Sequence, residues 1–321
     1  MEYLKITFIA GLSCVVLILT LRKFAHYLGM LDHPDERKLH GRVVPTVGGL
    51  AMFAAVILAL LFSSPLPHGQ IILLFCAAAL LVMGWIDDIY GLSASLRLMI
   101  QVVLVLIVIT ESDSTISQLG TIWGKPITLG LLALPLSLIA FVGGINAMNM
   151  IDGADGVAGS MAAITLVGVL TLIGIGSVNM SVALPVALLA ALVGFLIFNS
   201  RIFVRKAWVF MGDAGSMWLG LVVVWLLEQV SRQHTEPSIM LWLFGLPLID
   251  TLAVILRRIS RKKSPFKADR THIHHVLQRF GFSTGRKMAL LALAQSLLVA
   301  IGVILDAQIQ FRSATACGCL V

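Results

Sequence analysis

The residues of this chain that could do chemistry fall in four short clusters, each beside an apolar run. The first is Trp85-Ile86-Asp87-Asp88-Ile89-Tyr90-Gly91, two adjacent aspartates at the end of an apolar segment. Neighbouring helical residues differ by about 100° in direction, so one carboxylate can meet a metal or an acceptor while the other orients it. An interfacial charged pair is the plain alternative. Desolvating two carboxylates beside hydrocarbon is costly, however, and favours a function.

The second cluster is Asn149-Met150-Ile151-Asp152-Gly153-Ala154-Asp155-Gly156. In a helix, Asn149, Asp152 and Asp155 would share a face; Gly153 and Gly156 argue equally for a turn with exposed backbone donors. The third, Phe210-Met211-Gly212-Asp213-Ala214-Gly215-Ser216, places an aspartate just before an apolar run. Asp213 suits a helix cap, a metal ligand, or both. The fourth, Asp269-Arg270-Thr271-His272-Ile273-His274-His275, packs three of the eight histidines into four positions. In a helix His272 and His275 would share a face, with His274 turned away. Zinc lacks a supporting cysteine cluster or HExxH pattern, whereas imidazoles beside Arg270 suit a diphosphate. Carboxylates alone would repel a phosphate, and a divalent metal makes the set coherent by bridging the two kinds of oxygen.

What must position these clusters is a membrane bundle. The chain has 321 residues, 59% hydrophobic and 12% charged, about half the charge of a soluble domain. Ten apolar runs fall near 4–21, 47–63, 70–86, 97–110, 129–148, 159–177, 181–198, 215–230, 238–256 and 286–305. A helix needs roughly 20 residues to cross hydrocarbon, and the runs lack the alternation of barrel strands. The expected fold is therefore all-α, a polytopic transmembrane bundle of about ten spans in a single domain over 1–321. Residues 306–321 are expected as a short extracytoplasmic tail or the remnant of a shortened last span.

Of 23 basic residues, all but Lys5, Lys125, Arg232 and Arg312 fall in or beside the odd-numbered loops. The positive-inside rule makes those loops cytoplasmic. All four clusters lie on that side, so the site is expected at the cytoplasmic interface. The formal charge of +7 is explained by topology and anionic lipid, and no nucleic-acid partner is expected. Asp250, within the ninth run, is placed for a polar intramembrane contact or for pairing with Arg257 or Arg258.

The order of these motifs, with Asp35-Glu36-Arg37-Lys38-Leu39-His40 and Pro45-Thr46-Val47-Gly48-Gly49 ahead of them, resembles the polyprenyl-phosphate N-acetylhexosamine-1-phosphate transferases of glycosyltransferase family 4. The match runs over nearly the whole chain. The Ser264-Pro265-Phe266 and histidine elements look like the branch that makes undecaprenyl-diphosphate-GlcNAc. That resemblance implies UDP-GlcNAc, or another UDP-N-acetylhexosamine, as donor and undecaprenyl phosphate as acceptor, with surface-polysaccharide synthesis as the destination. It implies Mg2+ or Mn2+ at Asp213, and catalytic roles for Asp87, Asp88 and Asp213. It implies substrate contacts at Asn149, Asp152, Asp155, Asn199, Arg270, His272, His274 and His275, with the basic residue of the first loop at Lys38 or Arg42. It places the protein in a bacterial inner membrane and leaves room for a homodimer. Members of this branch can have eleven spans, so ten is a departure. A lipid-linked-sugar transporter is the alternative from another class, but its ligand groups should lie nearer the midplane.

Overall fold

The computed structural model describes residues 1–32, 43–122, 125–233, 237–262 and 272–316. Helices stand where the apolar runs predict them: α1 (Glu2–Phe24), α2 (Gly48–Leu60), α3 (His68–Tyr90), α4 (Ala94–Glu111), α5 (Ala133–Ile151), α6 (Val157–Gly174), α7 (Ala183–Asn199) and α8 (Gly212–Ser231). The ninth run is two helices, α9 (Ile239–Leu243) and α10 (Gly245–Ser260). A short α11 (Ile273–Arg279) then precedes the long α12 (Thr284–Ala316), which carries residues 306–316 as a continuation of the last span. Two small antiparallel hairpins interrupt the all-helical pattern, β1 (Leu31–Asp32) with β2 (Val44–Pro45) and β3 (Gln118–Ile122) with β4 (Lys125–Thr128).

Among the described residues seven helices are long and apolar enough to cross a membrane, and α2 and α7 are shorter apolar helices. The protein is a polytopic helical membrane protein. Its centre is α8, with 89% of its apolar window buried, whereas α1 and α4 each bury 22%. The outer helices keep apolar side chains such as Leu4, Phe8 and Leu12 exposed, as expected of surfaces that face lipid.

Small residues let the inner helices approach closely, since apolar side chains gain nothing by leaving lipid and packing must carry association. A methyl group on Gly49 of α2 would stand 2.6 Å from the Gly215 nitrogen, and one on Gly220 of α8 would stand 2.9 Å from the Ile145 Cα. The Gly143-Gly144 pair leaves α5 unbroken, and Gly144 admits the Val224 side chain. The break between α9 and α10 frees backbone groups inside the bundle, and neighbouring helices satisfy them. Gln295 of α12 donates to the Leu243 carbonyl at 2.6 Å and accepts from the Leu246 amide at 3.0 Å, while the Thr165 hydroxyl of α6 donates to the same carbonyl at 2.7 Å.

Candidate active site

The acidic cluster is built by backbone contact between α3 and α8. Gly84 lies so near the start of α8 that a Cβ there would stand 2.5 Å from the Ala214 nitrogen. Asp87 and Asp88 follow three and four residues later, on the same face, and so meet Asp213. Gly212 has φ of +74°, a conformation that costs a side chain but not glycine. A Cβ there would also stand 2.7 Å from Asp88 Oδ2. The Asp213 amide donates to Asp88 Oδ1 at 3.2 Å.

Arg97 closes the cluster. Its Nη1 lies 2.6 Å from Asp87 Oδ2 and 3.3 Å from Asp213 Oδ2. The other Asp87 oxygen accepts the Leu92 amide at 2.7 Å. Asp87 is therefore buried with both oxygens engaged. Asp88 is exposed at the helix end, and the Asp213 side chain is 38% exposed. Arg97 opens the fourth apolar run, and the sequence alone shows no partner for it. The available signal was the tight turn Gly91-Leu92-Ser93, with Gly91 left-handed at φ +68° and Ser93 capping α4 through the Leu96 amide. That turn folds α4 back so that its first positive charge returns to the acidic pair.

The second cluster is a turn. Helix α5 ends at Ile151 and α6 begins after left-handed Gly156, so Asn149, Asp152 and Asp155 do not continue one helical face. Asn149 donates to the Ser216 hydroxyl at 3.0 Å, tying α5 to α8. Asp155 pairs with Arg201 at 2.6 Å. Asn199 accepts the Gly156 amide at 2.8 Å and donates to the Val209 carbonyl at 2.8 Å, so its amide is spent on joining two loops. Asp152 keeps its proton to a pH well above the usual carboxylate range; burial is the main cause, and the nearby charges of Asp213, Asp88 and Asp155 add to it.

The histidines are arranged differently from the helical expectation. His272 lies before α11 in an extended conformation, so it faces His274 rather than His275. The His272 and His274 rings stack with centroids 5.8 Å apart and planes 6° apart. Tertiary packing decides this: His272 Nδ1 lies 2.8 Å from Asp250 Oδ2, and the Ile273 amide donates to Asp250 Oδ1 at 2.8 Å. His274, 2% exposed with neither ring nitrogen paired, rests on Gly153, where a Cβ would stand 2.6 Å from its Cε1. Burial, with the neighbouring His275 and His272 charges, holds its pKa down to about 3, so the ring is neutral. The histidine segment thus seats directly on the Asp152 turn. Lys38, Arg42 and Arg270 lie outside the described residues.

Among the described residues no three His, Cys, Asp or Glu side chains converge as a closed metal site. The partly exposed Asp213 carboxyl beside Asp88 nevertheless offers hard oxygen donors. They fit an ion such as Mg2+, which takes one or two carboxylates and completes its shell with phosphate and water.

The sequence comparisons agree with this architecture. The glycosyl transferase family 4 model matches residues 70–230, a stretch that contains Asp87, Asp88, Arg97, the Asp152 turn and Asp213. The undecaprenyl-phosphate alpha-N-acetylglucosaminyl 1-phosphate transferase of Yersinia pestis is 34% identical over 88% of this chain and 79% of its own. The protein of the same name from Escherichia coli K12 is 33% identical over 89% of this chain and 79% of its own. That of Haemophilus influenzae is 31% identical over 92% and 85%. With its membrane bundle and its carboxylates gathered where α3, α5 and α8 meet, this chain belongs to glycosyl transferase family 4 and is a transferase.

Proposed function

We propose that this protein transfers GlcNAc-1-phosphate from UDP-GlcNAc to undecaprenyl phosphate in a bacterial inner membrane, with its site on the cytoplasmic face. The observation that carries the reading is the meeting of Asp87, Asp88, Arg97 and Asp213 at one end of the bundle. The names of the relatives supply the acceptor and the sugar. The basic residues beside these loops supply the orientation.

A site at a helix end reconciles two substrates of opposite solubility. The isoprenoid tail stays in lipid while the nucleotide arrives from water. An oxygen of the acceptor phosphate attacks the phosphorus that carries the sugar. The bond from that phosphorus to the oxygen shared with the uridine phosphate breaks, and UMP leaves with the electron pair. The sugar C1–O bond stays intact. The acceptor is already anionic near neutral pH, so Asp88, the exposed member of the pair, orients it and takes any residual proton. Asp87 acts through Arg97, which keeps the Asp213 carboxylate in place. Asp213, with Asp88 beside it, would hold a divalent cation, Mg2+ or Mn2+, which when bound would supply neutralising charge for the donor diphosphate. Asp152 and Asn149 face the donor from the turn, with the histidine segment above it. Asp155 and Asn199 keep that turn in shape. Lys38 or Arg42, with Arg270, adds positive charge for phosphate. The protein works as a single bundle or as a homodimer of it.

Purified protein given undecaprenyl phosphate and labelled UDP-N-acetylhexosamines tests the reaction and the sugar together. UMP release that needs a divalent metal and is fastest with UDP-GlcNAc is the expected result. No release with any donor from a folded preparation would sink the assignment. An Asp213→Asn variant that kept full metal-dependent turnover would remove the proposed metal ligand.

A further inference from the structure

Asp250 is a buried acid, 6% exposed in α10, that the transfer chemistry leaves unused. Both its oxygens accept hydrogen bonds at the start of the histidine segment, one from His272 Nδ1 and one from the Ile273 amide, each at 2.8 Å. An ionised carboxylate has no proton to give, so Nδ1 must carry it. Whenever the ring carries a single proton, that proton is thereby held on Nδ1 and the lone pair lies on Nε2. The His272 ring, itself 5% exposed, then stacks on His274, and His274 sits against Gly153 of the turn. One carboxylate therefore sets the tautomer of the first histidine and the seat of the whole segment.

We propose that Asp250 is a positioning residue for phosphoryl transfer. By accepting the Nδ1 proton of His272 it leaves Nε2 as the nitrogen that takes a proton from water and gives it to the phosphate oxygen of the departing UMP as that oxygen's bond to the sugar-bearing phosphorus breaks, after which the ring again carries its single proton on Nδ1. This rests on the transferase reading above. The logic is that of any histidine whose second nitrogen is set by a hydrogen bond at the first. His274, buried without a partner for either nitrogen, serves as the neutral plate that fixes the plane of His272.

A merely structural Asp250 would cap α11 and nothing more, and Asp250→Asn separates the two roles. The amide oxygen keeps the bond to the Ile273 amide, while the amide nitrogen opposes Nδ1 and forces the other tautomer. We expect kcat to fall about 100-fold or more with the donor KM within about threefold, in line with a wrong tautomer at an otherwise intact site. His272→Gln should cost a similar factor, and adding Asp250→Asn to it should cost no more, because coupled residues are not additive. Nitrogen-15 spectra of histidine-labelled protein should show the His272 proton on Nδ1 in the parent and on Nε2 in Asp250→Asn. A parent proton on Nε2, a fully active Asp250→Asn, or losses that multiply in the double variant would each overturn the proposal. The spectra need no substrate, so a parent protein without turnover would count against the transferase reading alone.

Discussion

Gly84 of α3 and Ala214 of α8 touch backbone to backbone, leaving no room for a methyl group between them. This contact, not a side chain, sets the distance from the acidic pair to Asp213. Gly84→Ala should push the helices apart, at about 1–3 kcal/mol of stability for overpacking. Because Asp87 and Asp88 ride on the same face, turnover should fall by about 100-fold even in protein that still folds. Thermal melting and UMP release on the same preparation separate the two effects.

Arg97 bridges Asp87 and Asp213 through a single nitrogen, at 2.6 and 3.3 Å. Asp87 has a side chain only 6% exposed, so Arg97→Ala would strand a buried charge. The expected loss is on the order of 3 kcal/mol, with turnover down by at least about 100-fold. Arg97→Lys keeps the charge and can reach one carboxylate, so it should retain more activity than Arg97→Gln. Equal activity of the Lys and Gln variants would show that the charge of Arg97 is not what matters.

Gln295 bonds to α6 and to both sides of the break between α9 and α10, not to the carboxylate cluster. Gln295→Leu would leave the Leu246 amide without its acceptor, while Thr165 still donates to the Leu243 carbonyl. An unsatisfied buried amide costs about 1–2 kcal/mol here, since partners inside a bundle are partly replaceable. Melting temperature should drop by several degrees. The donor KM at a temperature where the protein is folded should stay near that of the parent.

The sequence made the helices legible because each apolar run had only one way to satisfy its backbone in lipid. It also located the carboxylates at Asp87, Asp88, Asp152 and Asp213, because an acid beside hydrocarbon stands out. What it hid were partners distant along the chain. Asp250 was visible as an intramembrane acid, but His272, twenty-two residues on, is brought to it only when α11 folds back. The helical spacing rule also misread the histidines. It assumes the helix has begun, and His272 lies before α11 with φ −60° and ψ 152°. The break at Phe244 was equally hidden, since the Gln295 and Thr165 groups that make it tolerable come from other helices.

His274 should leave a signature in stability against pH. Its folded pKa is about 3, against an ordinary value of 6.5 in the unfolded chain. Between those values the unfolded state binds more protons, so stability falls as pH drops from 6.5 towards 3. His274→Leu removes the titrating ring and keeps an apolar filler against Gly153. Melting temperatures of the variant should therefore decline less than those of the parent across that window. An unchanged acid-side slope would mean that other groups carry it.

Asp152 should behave with the opposite sign. Its folded pKa lies well above the ordinary carboxylate value of 3.8, so above 3.8 the folded state binds more protons than the unfolded chain. Stability from this group therefore falls as pH rises from 3.8 through its folded value. Near neutral pH the carboxyl opposes folding while it waits among Asp213, Asp88 and Asp155. Asp152→Asn removes that repulsion, so it should raise the melting temperature at pH 7 and leave it nearly unchanged near pH 4. Turnover should fall at the same time, by about 10-fold or more, as expected where a site keeps a destabilising group for its function. A variant less stable than the parent at pH 7 would show that the carboxyl makes a favourable contact instead, and the electrostatic account of this turn would fail.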